Sequence, residues 1–541
     1  MQGIAYWIDQ RSQITPDRTA IITEEQQLTF KEMGRKVNQF ARFLQQECNV
    51  VVGDRVGILS QNSMSYVLLL FAIAKLGGIA VPLNIRLTAS ELSYQMADSG
   101  TTVLFTQNEF QQVVKQLRTE GNLKRIVWLE QEEQSHTEKN TPDTEEMGQE
   151  QIRIRNKAHE KHEASITEYS FENAIKMLST EPLILENIDA NAPYLICYTS
   201  GTTGRPKGAV LTQENMFWNA IHNLTALDIT SRDRSIILLP LFHIGGIGLF
   251  AFPTLFAGGT IVILGKFNPE KTLDMIEQHQ VTIVMGVPAI HDALRKNPLF
   301  STTNLSSVRW FYNGGAPCPH ELILYYQDMG LPFGQGFGLT ETSPTVCMLS
   351  DEDAPYKIGS IGKPVLFCEI RLVDVHGQEV PNGEIGELAI KGPHVMKEYW
   401  NLPDETAKAI RNGWFYTGDL ARKDDEGFVY IAGRSKEMII SGGENIYPLE
   451  LEQTIGSLPE VDEVAVVGVA DEKWGEVAKA FVVVKAGAML TEEKLQKECQ
   501  KRVAKYKVPK YFVFLTELPR NATGKINKTA LQKIETSNQV R

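Results

Sequence analysis

Along residues 28–106 the apolar positions follow two alternating periods. Segments with apolar residues every three to four positions open with Thr29-x-x-Glu32 and Thr88-x-x-Glu91. Both openings predict helices, because the Thr hydroxyl can cap the N–H three residues on while the Glu reaches back. Between them VGILS (56–60), IAVPL (79–83) and TTVLFT (101–106) are short continuous apolar runs, which predict buried strands. Helix and strand in this alternation predict an α/β unit with a mainly parallel sheet.

Two apolar runs are longer. YVLLLFAIA (66–74) ends at Lys75 and Gly77-Gly78, too short to span a bilayer. Residues 235–264 carry no charge apart from His243, but five glycines and two prolines divide them into strand, loop, helix and strand. The pattern predicts buried core rather than a membrane span.

Residues 130–165 are the reverse, almost free of large apolar side chains. Such a segment buries too little surface to offset its ordering entropy, and the expectation is a solvated, mobile insertion. The α/β pattern returns at 181 and runs to about 370, and shorter turn-punctuated strands occupy 384–432. Beyond Gly433-Arg434 a helix is expected after Pro448, strands at 461–469 and 478–485, a helix at 491–505 and a strand at 511–515. That is a compact α+β unit. The division expected is 1–435 and 436–541, with the boundary near Lys436 and no internal repeat.

Composition narrows the function. The net charge is −12, from 54 Lys+Arg against 66 Asp+Glu, and an acidic surface argues against nucleic acid as partner. The six cysteines (Cys48, Cys197, Cys318, Cys347, Cys368, Cys499) form no C-x-x-C, so neither zinc nor a disulfide framework is indicated. Reduced thiols and an N-terminus without a signal-peptide core fit the cytoplasm.

Four stretches carry chemistry. YTSGTTGRPKG (198–208) follows the apolar YLIC and departs from the Walker pattern, since Gly208 follows Lys207. Backbone N–H groups of Gly201 and Gly204 can wrap an anion, with hydroxyls from Thr199, Ser200, Thr202 and Thr203 and charge from Lys207. A solvated hairpin turn is the plain alternative. In GQGFGLTETSP (334–344), Gly336 and Gly338 flank Phe337, so a flat ring can approach backbone and aromatic face together. Thr340 can donate a hydrogen bond and Glu341 can hold a hard cation, or Thr340 merely caps a strand-to-helix turn. In the stretch 413–448, Asp419 follows a Thr-Gly turn and can accept both hydroxyls of a ribose, with Arg434 close to the same sugar. A turn cap and a surface ion pair explain the same two residues. In PRNATGKINKTAL (519–531) an Asn-Ala-Thr-Gly turn presents Lys525 at the expected start of a helix.

YTSGTTGRPKG, GFGLTE, YTGDL, GRSKE and NATGK, in this order, closely resemble the motifs of the adenylate-forming enzyme superfamily: acyl- and aryl-CoA ligases, firefly-type luciferases and peptide-synthetase adenylation domains. The resemblance covers residues 10–535, with 130–165 as the main departure. It implies a large N-terminal α/β domain with mainly parallel sheets and a smaller β subdomain, followed by a small mobile α+β domain. It also implies that Thr199 to Lys207 grips the β- and γ-phosphates of ATP. Asn313, Gly314, Gly315, Ala316 and Phe337 would form the adenine site. Thr340 would lie near the α-phosphate, Glu341 with Thr199 on Mg²⁺, and Asp419 with Arg434 on the ribose. His243 resembles the residue beside the acyl carboxylate, though a core histidine is the alternative. Lys525 resembles the catalytic lysine.

The implied reaction has two steps. A carboxylate attacks the α-phosphate of ATP and expels pyrophosphate, and the thiol of CoA then displaces AMP. Between the steps the small domain would turn about a hinge at Lys436, moving Lys525 away and bringing Ser441, Gly442 and Gly443 to the thiol. The wording favours a medium- or long-chain fatty acid, because small residues after His243 leave depth for an alkyl chain. An aryl- or 2-succinylbenzoate-CoA ligase is the alternative, and a non-catalytic nucleotide- or acyl-binding protein a remote one. The partners expected are the carboxylic acid, ATP and CoA, with no transmembrane span, peripheral membrane contact left open, and a monomer or homodimer.

Overall fold

The computed structural model describes residues 3–120, 122–129, 166–183, 188–199, 205–350, 352–442, 444–521 and 524–534. The expected insertion at 130–165 lies outside these residues.

Two large sheets organise the chain before residue 400. One has eight strands; its centre is Arg55–Leu59, flanked in parallel by Ile79–Pro82 and Val103–Gln107. Pro193–Thr199 joins Ile79–Pro82 in parallel, and Lys207–Thr212 then folds back antiparallel. The other sheet has nine strands, with Arg234–Ile237, Thr260–Ile263, Ile283–Gly286, Trp310–Asn313 and Phe333–Gly338 parallel to one another. Ile79–Pro82, Thr260–Ile263 and Ile283–Gly286 are buried at every position, which is why they read as short apolar runs.

Helices cover the sheets. Phe30–Gln46 and Ala89–Ser99 both begin with the capping boxes expected at Thr29/Glu32 and Thr88/Glu91. Met64–Lys75, which holds the run too short to span a bilayer, is buried along nearly its whole length, including Lys75, whose Nζ meets Asp9 at 2.7 Å. Residues 235–264 form strand, loop, helix and strand as expected, the helical part starting as the π-helical segment Gly246–Ala251 and continuing as Phe252–Ala257. Among the described residues no helix is long and apolar enough to cross a membrane.

A five-stranded antiparallel sheet follows, built on Glu369–Val373, Ile385–Lys391, Trp414–Lys423 and Val429–Arg434. The chain then makes a separate sheet from Ile439–Ser441, Glu444–Ile446, Val461–Asp471, Gly475–Val484 and Tyr511–Phe514. The helices Pro448–Gly456 and Glu492–Arg502 pack on it through Leu451, Ile455, Leu495 and Cys499. The apolar clusters of this last sheet draw on residues after 438 alone.

Candidate active site

The stretch 198–208 is a hairpin: Thr199 pairs with Lys207 and Tyr198 with Gly208 across two antiparallel strands. Its tip, with Ser200, Gly201, Thr202, Thr203 and Gly204, lies outside the described residues. The two ends of the hairpin are anchored. Thr199 Oγ1 donates to Glu341 Oε1 at 3.4 Å, and Lys207 Nζ meets Glu405 Oε2 at 2.5 Å. Lys207 and Lys408 together hold the Glu405 carboxyl at about 2.

Glu341 sits one residue into the short helix Thr340–Thr342, directly after the strand Phe333–Gly338. The turn between them requires glycine. A Cβ on Gly338 would stand 1.5 Å from the Pro344 carbonyl oxygen, and one on Gly336 would stand 2.9 Å from that of Cys347. Phe337 therefore sits between two bare backbone positions. The Glu341 backbone carbonyl accepts from Met396 N at 2.8 Å, and its carboxylate accepts from the Tyr399 hydroxyl at 2.9 Å. Burial and the Glu341 carboxylate push the Tyr399 phenol up, so it stays a proton donor.

The neighbouring strand end carries Asn313, whose Nδ2 donates to Ala316 O at 3.0 Å and whose Oδ1 is buried with no partner among the described residues. Gly315 lies in the left-handed region at φ 81°, which lets the chain turn back over Asn313. Such an unsatisfied buried acceptor is ready for an N–H donor.

Asp419 is a second case. It lies in a bulge rather than in a separate turn: Thr417, Gly418 and Asp419 stand between the pairs Ala389↔Tyr416 and Glu387↔Leu420, with Gly418 at φ 72°. Arg434 Nε meets Asp419 Oδ1 at 2.9 Å, and Oδ2 is buried with no partner among the described residues. Burial raises the Asp419 carboxyl to about 6; Arg434 and Lys525 pull it down and Glu341 pushes it further up.

Lys525 stands on a turn closed by Gly524 N to Asn521 O at 2.9 Å. The helix begins only at Lys528, so Lys525 precedes it instead of opening it. The Lys525 side chain is exposed to solvent. Desolvation and then Arg434 push its ammonium down, while Asp419 and Glu341 pull it up. His243 lies near Lys525 with its side chain exposed, not in the core: partial desolvation lowers it to about 4, with Lys525 and Arg86 adding to the fall. It is therefore neutral at pH 7. The structure thus gathers Thr199, Lys207, Glu341, Asp419, Arg434, Lys525 and His243. Lys436 is exposed on the turn Ser435–Glu437. Ser441 pairs with Gly475 and Gly442 N donates to Trp474 O at 2.7 Å, contacts within their own sheet rather than with the cleft group. Gly443 lies outside the described residues.

Three residues of the cleft went unseen in the sequence: Tyr399, Glu405 and Arg86. Tyr399 arrives because Glu398–Tyr399 adds an edge strand beside Ala209 and Val210, a pairing across nearly two hundred residues with no local signal. Arg86 is exposed on the loop after Ile79–Pro82, and a Cβ on Gly524 would lie 3.6 Å from its Nη1.

Among the described residues no group of three or more His, Cys, Asp or Glu could hold a metal ion by itself. Glu341 and the Thr199 hydroxyl offer hard oxygen donors, the kind that share Mg²⁺ with substrate phosphates.

The profile of the AMP-binding enzyme family matches residues 8–400, and that of the AMP-binding enzyme C-terminal domain matches residues 450–525. The chain is similar to a feruloyl-CoA synthase of an Amycolatopsis species, 38% identical over 98% of this chain and 99% of the relative. It is also similar to a long-chain-fatty-acid–CoA ligase of Mycobacterium tuberculosis, 35% identical over 98% of both chains. Among solved structures, the o-succinylbenzoate CoA synthetase of Bacillus subtilis in complex with its acyl-adenylate intermediate superposes with a TM-score of 0.83 at 33% identity, over 99% of both chains.

Proposed function

The chain belongs to the AMP-binding enzyme family, and on that premise we propose that it is an AMP-forming acid–thiol ligase joining an apolar carboxylic acid to CoA. The observation that carries this reading is the meeting of Lys525 with Glu341, Asp419, Arg434 and His243 around one cleft. Nucleotide fits the unsatisfied acceptors there: Asn313 Oδ1 for an adenine amino group, Asp419 Oδ2 for a ribose hydroxyl.

In the first step the acid's carboxylate oxygen bonds to the α-phosphorus of ATP, and the bond from that phosphorus to the bridging oxygen breaks, releasing pyrophosphate. Lys207 and the hairpin hold the departing phosphates. Lys525 supplies positive charge where the α-phosphate oxygens gain negative charge. Neutral His243 can hydrogen-bond the acid without competing as an ion pair. Mg²⁺, held by Glu341 and Thr199, would neutralise phosphate charge. In the second step the thiolate sulfur attacks the acyl carbon and AMP leaves. Lys436 is the proposed hinge between 1–435 and 436–541.

The acid pocket is proposed behind His243. There Leu239, Gly245, Gly246, Phe250 and Met285 line an apolar crevice of about 10 Å³, room for about one water, with no charged side chain among them, so an acyl body enters only if these side chains move apart. This favours an acid with one carboxylate and an apolar body. Fatty and aryl acids both meet that description, and relatives named for each are similar to this chain. A panel of fatty, cinnamic-type and dicarboxylic acids with ATP and CoA, scored by AMP release, tests the reading. Apolar monocarboxylates should turn over and dicarboxylates should not. AMP release with none of them would refute it.

A further inference from the structure

We propose that Tyr399 is a positioning residue that ties the phosphate-gripping lysine to the metal-binding carboxylate. The inference rests on the function proposed above and adds a residue to it. Tyr399 reaches both groups at once. Its hydroxyl donates to Glu341 Oε1 at 2.9 Å, and the Lys207 ammonium lies 5.2 Å from the centre of its ring. Thr199 also donates to Oε1, so the two hydroxyls converge on one carboxylate oxygen and leave Oε2 out of both bonds. Fixing a carboxylate through one oxygen sets the direction of the other.

The ring is itself braced. Tyr399 N donates to Thr406 Oγ1 at 2.9 Å, and Trp400 N to Gly208 O at 2.8 Å. Thr406 shares the helix Pro403–Ala409 with Glu405, whose carboxylate takes Lys207 at 2.5 Å. The Lys207 ammonium therefore rests between an aromatic face and a carboxylate, both delivered by residues 398–406. Thr199 and Lys207 are paired across the hairpin, so one side chain sets the aim of both hairpin ends and of Glu341.

The test separates hydroxyl from ring. Tyr399→Phe keeps the ring and loses the bond to Glu341; Tyr399→Leu loses both. Mn²⁺ is titrated into protein plus ATP without acid, and free Mn²⁺ is followed by electron paramagnetic resonance. ATP affinity without metal is measured by calorimetry. Tyr399→Phe should weaken Mn²⁺ binding roughly 10-fold, the scale for removing a partner of a metal-ligating carboxylate, and leave metal-free ATP binding unchanged. Tyr399→Leu should weaken metal-free ATP binding as well. A Phe variant that titrates like the parent overturns the proposal. So does one that loses metal and ATP affinity in equal measure with a lowered melting point, the mark of a structural prop. A parent protein that binds no ATP would overturn the proposed function itself, a result distinct from either.

Discussion

Asp419→Asn converts the most strained charge of the cleft into its neutral isostere. Asp419 is only 3% exposed, and one of its two oxygens has no partner. Its carboxyl rises from an ordinary 3.8 to about 6, mainly through burial. Between those two values the folded protein holds a proton that the unfolded chain has released. Stability therefore falls as pH rises through this window, and the full loss is in place above pH 6. The shift of about 2 units, at about 1.4 kcal/mol each, corresponds to about 3 kcal/mol. Asparagine carries none of this pH dependence. The amide does add an unpaired N–H, a cost of about 1–3 kcal/mol that is the same at every pH. The readout is therefore the change in the variant-minus-parent difference, which should move about 3 kcal/mol in the variant's favour between about pH 4 and pH 7. In melting temperature that is a relative shift of roughly 3 °C for a chain of 541 residues. AMP affinity should move oppositely: in the parent it falls as pH drops through about 6, because a protonated Asp419 accepts ribose hydroxyls poorly, and in the variant it is weak and flat. Calorimetric melting and AMP titration across this range check both. A stability difference that stays constant with pH would refute the buried-charge argument.

Two further substitutions probe the cleft and the hinge. Glu341→Gln keeps the Tyr399 and Thr199 contacts in shape but removes the charge, and adenylation should fall on the order of 10²-fold at limiting Mg²⁺ with the melting point unchanged; turnover equal to the parent's would remove Glu341 from the site. Lys436→Pro restricts φ on the exposed turn Ser435–Glu437, so acyl-adenylate should still form while thioester formation slows; equal loss of both half-reactions in a rapid-quench assay would place the hinge elsewhere.

Much of the parallel core was legible because strands buried on both faces are short apolar runs. Arg55–Leu59, Ile79–Pro82 and Val103–Gln107 fall within two residues of the ranges expected. The caps at Thr29 and Thr88 were legible because a capping box is a local exchange of hydrogen bonds. What was missed depends on pairing between distant segments. The bulge at Gly418 takes the place of the expected turn because Ile385–Lys391 lies alongside and Leu388 O accepts from Thr417 Oγ1 at 2.8 Å. Lys525 precedes its helix because Asn527 supplies the cap, accepting from Ala530 N. Tyr399 and Glu405 reach the cleft from the one segment 398–406 and Arg86 from another, and no spacing in the sequence marks that meeting.

The central claim is that Lys525 serves the first chemical step and not the second. Lys525→Ala separates them. Its charge should act mainly in the transition state of adenylation, so the rate of pyrophosphate release should fall about 10²–10³-fold, the scale for one such donor. Given ready-made acyl-adenylate and CoA, the same variant should form thioester at close to the parent rate. Pyrophosphate release and thioester formation measured side by side on parent and variant decide the matter. Loss of the first alone is the result expected. Loss of both, or of neither, would contradict the role assigned to Lys525 and the two-step scheme built on it.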